Sequence, residues 1–276
     1  MKRLKNIIAV ALCFGTIAAL GGCGSKSGSN EKVLRVGMEA AFAPFNYTQT
    51  DDANGAVKIK GSNEYANGYD VMMAKKIADK IGYNVEINKM EWDGLTPGVS
   101  SGKIDVSIAG QSITAERLQS VDFSEPYYKA DIIALTKKGS PYENAKSIAD
   151  LKGVTCTSQL NTVWYDMLKQ IPDAKIQPAM DSVPSLIVAL NSGKVNLLSV
   201  DKPTALAAVY SNPDLVMLDL KDKGFKASDE DVNIGIAIKK GNKELTDKIN
   251  KALSEISEDE RNKMMDEAIK NQPLSK

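Results

Sequence analysis

An arginine near the start of a predicted helix is the residue most suited to bind a ligand. In the segment 104–128, apolar residues alternate over 104–108 as in a strand, and Thr114 is a candidate N-cap for a short helix through residue 120. A helix N-terminus carries partial positive charge, so a cation in its first turn costs roughly 0.3 to 1 kcal/mol. An anion held between Arg117 and the free backbone N–H groups of residues 110–114 would remove this conflict. The segment predicts a carboxylate receptor; a solvated or ion-paired arginine is the alternative.

Further polar and aromatic residues follow the predicted strands at their carboxyl ends, where open α/β sheets bind ligands. They are Glu39 and Phe42 after the first strand, Trp92 after the second, residues 110–114 with Arg117 after the third, residues 158–162 after a fourth, and Asp201 after a later one. Acids, one cation and two aromatics together suit the zwitterion of an α-amino acid.

In this interpretation, the two charged ends of the ligand are bound by different residues. Arg117 binds the carboxylate, assisted by the Ser112 hydroxyl and by groups around Asn161 and Thr162. Asp201 and Glu39 bind the ammonium group, and Phe42 and Trp92 flank the side chain. Each residue also has a structural alternative: the aromatics are core residues, and Asp201 is the N-cap of the next helix.

The composition excludes several classes of site. The chain of 276 residues has 35 basic and 35 acidic residues and no histidine. A balanced charge gives no support to nucleic-acid binding, and we expect no such partner. The lack of histidine removes Ser-His-Asp and Cys-His catalytic arrangements. We expect neither a metal site nor a cofactor, and Cys156, the one thiol of the predicted folded part, is expected to be buried rather than near the cleft.

The N-terminal segment is typical of an export signal. Basic residues precede an apolar run over 7–20, which is too short for a membrane-spanning helix. The sequence LGGC ending at Cys23 resembles a lipobox, so we expect residues 1–22 to be a lipoprotein signal peptide and Cys23 to carry the lipid; ordinary signal-peptidase cleavage is the alternative. Residues 23–31 then read as a flexible tether.

Alternating strands and helices predict an α/β protein of two lobes. Two runs of this alternation each imply a mostly parallel sheet flanked by helices. A C-terminal strand and two amphipathic helices have no sheet of their own, and we expect them to return to the first lobe. The predicted lobes are 32–128 with 229–276, and 129–228, joined by two hinge crossovers near 127–131 and 225–232.

The polar segment 48–67 interrupts this alternation. Its Asn-Gly pair at 54–55 lies beside an alternating run and predicts a small surface hairpin. We expect it to decorate the surface, since loops tolerate insertions at low cost, although it is long enough to overhang a cleft.

The motif AGQSITAER (109–117), followed by DFSEPYY (122–128), resembles the central motif of bacterial solute-binding proteins for polar amino acids, the extracytoplasmic receptors of ABC importers. The resemblance extends from residue 34 to the last helices. It implies a two-lobed, periplasmic-binding-protein-like fold and contact positions at Phe42, Trp92, Ser112, Arg117 and Asp201, with backbone groups from Ala109 and Gly110.

Two departures from the family pattern concern the side chain of the ligand. Gln111 stands where an apolar residue is usual, and TSQLNTV (157–163), which includes Thr157, Asn161 and Thr162, replaces a Ser-Gly-Thr-Thr-like loop. The resemblance therefore implies a polar amino acid without ranking glutamine, arginine, lysine, histidine or cystine.

The predicted function is that of a monomeric, lipid-anchored receptor on the outer face of the cell membrane. It binds a polar amino acid between its lobes and delivers it to an ABC permease, without catalysis. The alternatives are a secreted prephenate or arogenate dehydratase on the same fold, and a lipid-anchored adhesin or signalling module.

Overall fold

The computed structural model describes residues 32–273. The predicted signal peptide and Cys23 lie outside the described residues. In chain order the strands are β1 (Val33–Met38), β2 (Ala41–Phe42), β3 (Asn46–Gln49), β4 (Val57–Lys58), β5 (Tyr65–Asn67), β6 (Asn84–Lys89), β7 (Val106–Ser107), β8 (Val121–Phe123), β9 (Tyr128–Lys129), β10 (Ile132–Lys137), β11 (Thr155–Thr157), β12 (Lys175–Ile176), β13 (Leu197–Asp201), β14 (Leu215–Leu218), β15 (Asn233–Ile234) and β16 (Ala237–Lys239). The helices are α1 (Tyr69–Ile81), α2 (Trp92–Ser101), α3 (Val163–Met167), α4 (Val183–Asn191), α5 (Lys202–Ser211), α6 (Asp229–Val232), α7 (Lys243–Ser254) and α8 (Glu258–Asn271).

Lobe 1 is built on a five-stranded sheet of order β6-β1-β7-β16-β8. Strand β1 is almost wholly buried and pairs in parallel with β6 and β7, which puts the carboxyl ends of all three at one edge. Helix α1 packs its apolar face on this lobe and ends at Gly82, which has the left-handed conformation of a helix C-cap. The three strand ends therefore present Glu39, Trp92 and Gly110 on neighbouring loops.

Lobe 2 is built on a second five-stranded sheet, of order β12-β11-β13-β10-β14. Strand β11 pairs in parallel with β12 and β13, and its carboxyl end carries the loop that precedes α3. Cys156 is fully buried in the core of this lobe, which confirms the expectation from sequence, and burial raises the pKa of its thiol to about 11.

The two-lobed α/β architecture is confirmed, but each sheet is mixed rather than mostly parallel. Strand β10 lies antiparallel to β13 and β14, and β16 lies antiparallel to β7 and β8. Both β10 and β16 are reached by a crossover from the other lobe. The alternation of side chains along one strand carries no information about the direction of its neighbours, so the sequence does not reveal this reversal.

The two crossovers pair with each other. Strand β9, on the way to lobe 2, is antiparallel to β15, on the way back, with Tyr128 opposite Ile234 and Lys129 opposite Asn233. The first crossover is where the sequence places it, and the second ladder strand begins just after the predicted range 225–232. Between residues 32 and 273, no helix is both long and apolar enough to cross a membrane.

The insertion at 48–67 forms more than a hairpin. Together with β2 it makes a four-stranded antiparallel sheet of order β2-β3-β5-β4. Ile59 forms a bridge to Ile87 of β6, and Lys60 Nζ lies 2.9 Å from Glu86 Oε1. The insertion therefore extends the open edge of the lobe 1 sheet.

Gly68 fixes the start of α1 against the chain that follows β2. Its φ is +117°, and a Cβ atom there would lie 2.5 Å from Phe45 O and 2.8 Å from Pro44 O. We predict that Gly68→Ala lowers the free energy of unfolding by at least about 3 kcal/mol, since it adds backbone strain to a clash with carbonyl groups that cannot rotate away. Urea unfolding measures this change.

Gly61→Ala is the matched control. Gly61 also has a positive φ, +74°, but it is exposed and a Cβ atom there would meet no atom within 4 Å. We expect a cost of only about 1 kcal/mol from the backbone conformation alone. Equal costs for the two variants would contradict the close packing at Gly68.

Candidate ligand-binding site

The guanidinium of Arg117 joins the two lobes. Its Nη1 donates to Ser112 O at 2.8 Å within lobe 1, and its Nη2 donates to Asn161 O at 2.9 Å in lobe 2. The group also lies 5.3 Å from the centroid of the Trp92 ring, within cation–π distance. Burial lowers the pKa of Arg117 to about 10, so the side chain stays cationic at neutral pH.

The predicted helix from Thr114 through residue 120 is wrong in extent. Arg117 begins a single 3₁₀ turn, Arg117–Gln119, which the chain leaves for β8 at Val121. Thr114 nevertheless closes the preceding turn, because its Oγ1 accepts a bond from Arg117 N at 3.3 Å and its carbonyl accepts one from Leu118 N at 3.0 Å. One turn carries little helix dipole, so the position of Arg117 follows from its own hydrogen bonds.

The expectation of free backbone donors over 110–114 is only partly met. Three of these N–H groups donate to Tyr127 Oη (2.9 Å), Asn233 O (3.0 Å) and Ser112 O (3.1 Å). Among residues 32–273, no acceptor is seen for the N–H groups of Gln111 and Ser112. These two groups are therefore the backbone donors of this segment that remain for a ligand.

The Ser112 hydroxyl is engaged by the second crossover. It donates to Asp231 O at 3.0 Å, and this bond holds the loop against the residues that lead into β15. The contact of this hydroxyl with a ligand carboxylate stays a prediction. Ala109, which precedes the loop 110–114, is buried and offers only backbone groups, as expected.

The aromatic residues form one wall of the site. Phe42 is 2% exposed, stacks on Phe45 with ring centroids 4.8 Å apart, and meets Trp164 of lobe 2 at 5.6 Å. Trp92, the first residue of α2, is partly buried beneath Arg117. Gly110 must be glycine here, because its φ is +66° and a Cβ atom would lie 2.3 Å from Phe42 Cε1.

Glu39 faces lobe 2 across the cleft. Both of its carboxylate oxygens lie 3.3 Å from Gln159 Nε2, which also donates to Asp181 O at 3.0 Å. Burial raises the pKa of Glu39 to about 7, the bond from Gln159 opposes this rise, and the nearby acids Glu91 and Asp93 add to it. The carboxyl group of Glu39 therefore accepts its hydrogen bonds from a neutral amide group.

The loop after β11 brings two of its three predicted residues to the cleft. Asn161, with φ +54°, offers its carbonyl to Arg117 and donates from Nδ2 to Asp93 Oδ1 at 2.8 Å. Thr162 precedes α3 and donates from Oγ1 to Gln159 O at 2.7 Å. Thr157 instead points into lobe 2, where its hydroxyl donates to Pro178 O at 2.9 Å.

Asp201 caps α5. Its two carboxylate oxygens accept from Thr204 N at 2.8 Å and Thr204 Oγ1 at 3.0 Å, which is the N-cap alternative expected from sequence. The side chain is 2% exposed, and burial raises the pKa of Asp201 to about 7. A carboxylate has room for further donors beyond these two, so capping leaves it able to accept from a ligand.

A cavity of about 10 Å³ lies where these elements meet. Its lining residues are Phe42, Trp92, Gly110, Ser112, Arg117, Gln159, Thr162, Val163 and Trp164. That volume is about one water molecule, so an amino acid enters only when the lobes separate or the lining side chains move. Asp201, Glu39 and the insertion at 48–67 do not line this cavity.

The sequence places Gln159 in the predicted range 158–162 and Val163 in the motif TSQLNTV (157–163) without an individual role for either, and it does not point to Trp164. The position of Gln159 just after the carboxyl end of β11 is the signal that favours a role for its side chain. Trp164 falls in the first turn of α3, where its apolar character favours a place in the core. It reaches the cavity because α3 packs against the opposing lobe at Phe42.

Known proteins with similar sequences bind amino acids. The chain is 30% identical over 260 residues to the arginine-binding extracellular protein ArtP of Bacillus subtilis, covering 94% of each chain. It is 29% identical over 260 residues to the L-cystine-binding protein TcyJ of Escherichia coli, covering 94% of this chain and 91% of TcyJ. Both relatives are thus named as amino-acid-binding proteins.

Solved structures agree with the sequence comparison. The amino acid ABC transporter substrate-binding protein AbpA of Streptococcus pneumoniae, bound to L-arginine, superposes with a TM-score of 0.74 at 30% identity, covering 88% of this chain and 97% of AbpA. The family described as bacterial extracellular solute-binding proteins, family 3, matches residues 34–270. Together with the two lobes and the side chain of Arg117 between them, this match shows that the chain belongs to family 3 of the bacterial extracellular solute-binding proteins.

Proposed function

We propose that this protein captures a polar amino acid between its lobes and delivers it to an ABC importer. The observation that carries the proposal is the guanidinium of Arg117, which lies at the cleft and bonds to one backbone carbonyl from each lobe. Within residues 32–273 it forms no ion pair. A partly buried cation with neutral partners gains most from an anion, and a carboxylate matches its two parallel donors.

The other end of the ligand is assigned to acids. Asp201 of lobe 2 and Glu39 of lobe 1 are both buried carboxylates. Asp201 would accept from the α-ammonium group of the ligand, and Glu39 would meet the ligand side chain. The N–H groups of Gln111 and Ser112, together with Thr162, complete the carboxylate site. Phe42, Trp92 and Trp164 would flank the side chain.

A cationic side chain fits the site best. Glu39 is 7% exposed, and the Gln159 amide is its one hydrogen-bond donor among the described residues. A guanidinium or ammonium group would compensate its charge, whereas an uncharged side chain would leave that cost in place. ArtP is named for arginine and AbpA is bound to L-arginine, so we place arginine first, before lysine and histidine. Glutamine is the uncharged alternative, and cystine, whose far end carries its own ammonium and carboxylate groups, is a further one.

Binding would work by hinge closure. The lobes, 32–128 with 229–276 and 129–228, would rotate about the β9–β15 ladder, and the ligand would favour the state in which Arg117 and Asp201 bind it together. We further propose that Cys23 anchors a monomer to the outer face of the membrane through residues 23–31, close to its permease.

A thermal-shift screen of the amino acids tests the function directly. A ligand at a hundred times its Kd stabilises the protein by about 2.7 kcal/mol, so we expect arginine to raise the melting temperature by several degrees. The absence of a shift with every amino acid would contradict the proposal, and turnover of prephenate or arogenate would favour the dehydratase alternative.

Arg117→Ala is expected to weaken binding of arginine by at least about a hundredfold, because the ligand carboxylate loses its charged partner. Isothermal titration calorimetry measures this loss, and circular dichroism checks that the fold is retained. Arg35→Ala is the control, since Arg35 pairs with Asp105 on lobe 1 and is absent from the cavity lining. Undiminished affinity in the Arg117 variant, or an equal loss in the control, would refute the proposal that Arg117 binds the ligand carboxylate.

Affinity for arginine is expected to rise from pH 6 to pH 8. The pKa of Glu39 is raised to about 7, so the carboxyl group is largely protonated at pH 6 and ionises over this range. Because a cation binds the ionised form, the affinity gains at most about tenfold per pH unit below the pKa. Calorimetry at three pH values provides the profile.

The Glu39→Gln variant is expected to bind arginine more weakly at pH 8 and to show a smaller change of affinity with pH. Ionisation of Asp201 accounts for the pH dependence that remains. Glu91→Gln, which removes an exposed acid close to Glu39, is the matched control and keeps most of the dependence. A Glu39→Gln profile as steep as that of the parent protein would exclude Glu39 as the titrating group.

A further inference from the structure

A buried carboxylate lies behind the cleft, at the second residue of α1. Asp70 is fully buried; its Oδ1 accepts from Tyr127 Oη at 2.7 Å and its Oδ2 accepts from Asn46 Nδ2 at 2.7 Å. Among residues 32–273, no lysine or arginine pairs with it. The N-terminal turn of α1 favours the negative charge, but burying an unpaired acid still costs stability.

Each partner of Asp70 continues to the backbone of a loop at the ligand site. Asn46 Oδ1 accepts from Ala40 N at 2.7 Å, next to Glu39. Tyr127 Oη accepts from Gly110 N at 2.9 Å, where Gly110 lines the cavity. Two loops of the ligand site that are 70 residues apart in sequence are thus connected by hydrogen bonds to one carboxylate.

Both loop residues have left-handed backbone conformations, which alanine, unlike glycine, adopts only under an external restraint. Ala40 has φ +52° and Gly110 has φ +66°. For alanine this conformation costs about 1 to 2 kcal/mol, so it persists only where surrounding bonds hold it. The bond from Ala40 N to Asn46, with a second from Thr48 Oγ1 to Ala40 O at 2.8 Å, provides that restraint.

The carboxylate also sets the direction of every bond in the network. Burial raises the pKa of Asp70 to about 7, and the bonds from Tyr127 and Asn46 oppose this rise. When Asp70 is ionised its carboxylate only accepts hydrogen bonds, so Asn46 turns its amide nitrogen toward Asp70 and its oxygen toward Ala40. Tyr127 must likewise donate to Asp70, which leaves its oxygen to accept from Gly110. A neutral apolar residue at this position would impose neither orientation.

We propose that Asp70 is the positioning residue of the ligand site: it holds the loops 39–42 and 109–112 in the conformation that binds the amino acid. Asp70 acts through Asn46 and Tyr127 and does not line the cavity itself. This role deepens the proposed binding function and rests on it for its ligand, whereas the restraint on the loops exists without one.

The Asp70→Asn variant tests the network because it replaces one acceptor oxygen of the carboxylate by a donor nitrogen. With its oxygen toward Tyr127, the new amide turns its nitrogen to Asn46 Nδ2, so Asn46 must release Ala40 N. With its oxygen toward Asn46, it turns its nitrogen to Tyr127 Oη, which already accepts from Gly110 N, and the tyrosine proton loses its acceptor. We expect amide hydrogen exchange in the ligand-free protein to accelerate at least tenfold at Ala40 or Gly110, whichever arm is broken, and arginine affinity to fall at least tenfold.

The double variant Asn46→Asp with Asp70→Asn restores every bond. Asp at 46 accepts from Ala40 N and from the new amide at 70, whose oxygen still accepts from Tyr127. We expect exchange at Ala40 and arginine affinity to return to within about threefold of the parent. Such rescue by moving the charge one residue along the network is not expected if Asp70 serves only general stability.

Tyr127→Phe keeps the test decisive if the single Asp70 variant does not fold. It removes the acceptor of Gly110 N and one of the two donors to Asp70, but keeps the bonds that join Asp70, Asn46 and Ala40, so exchange should accelerate at Gly110 and not at Ala40. Unchanged exchange in both single variants, or a folded double variant that regains stability without regaining loop protection, would overturn the inference. If the parent binds no amino acid, the proposed function fails, whereas the exchange pattern still decides the positioning role.

Discussion

The contact of Arg117 with two backbone carbonyls, one from each lobe, is the interaction on which the site depends. A guanidinium has five donors in a rigid plane, and here two of them span the cleft to Ser112 O and Asn161 O. The two sheets must therefore present their strand ends to each other at hydrogen-bonding distance. The mixed sheets and the paired crossovers satisfy this requirement, because they turn both sets of loops toward one cleft.

Besides the ring contact of Phe42 with Trp164, two further hydrogen-bonded contacts of side chains within residues 32–273 cross the cleft. Asn161 Nδ2 donates to Asp93 Oδ1 at 2.8 Å, and Gln159 Nε2 lies 3.3 Å from both oxygens of Glu39. Hydrogen bonds of this kind contribute on the order of 1 kcal/mol each, because water replaces them when the lobes part. The cleft is thus held by interactions that a ligand can exchange for its own, whereas the crossovers keep the lobes tethered.

Behind the cleft the arrangement is different, since the lobe 1 loops are held by a buried network. Asp70, Asn46 and Tyr127 connect the backbone of Ala40 to that of Gly110 through bonds of 2.7 to 2.9 Å. Fully satisfied networks of low exposure specify a single geometry. In the proposed binding mode, lobe 1 therefore supplies a half-site held by this network, to which lobe 2 adds the carbonyl of Asn161 and the side chain of Trp164.

The local sequence determines several strands and helices of this protein and the residue types at the strand ends. The apolar patterns of β1 and α1, the glycine that ends α1, and the aromatic and charged residues at strand ends follow from neighbours within a few positions. Tertiary structure decided which atoms these residues meet: the Ser112 hydroxyl bonds to Asp231 O, Thr157 turns into lobe 2, and Asp201 caps α5. Those partners, like the direction of β10 and β16, depend on chain segments that are distant in sequence and meet only on folding, so no local pattern encodes them.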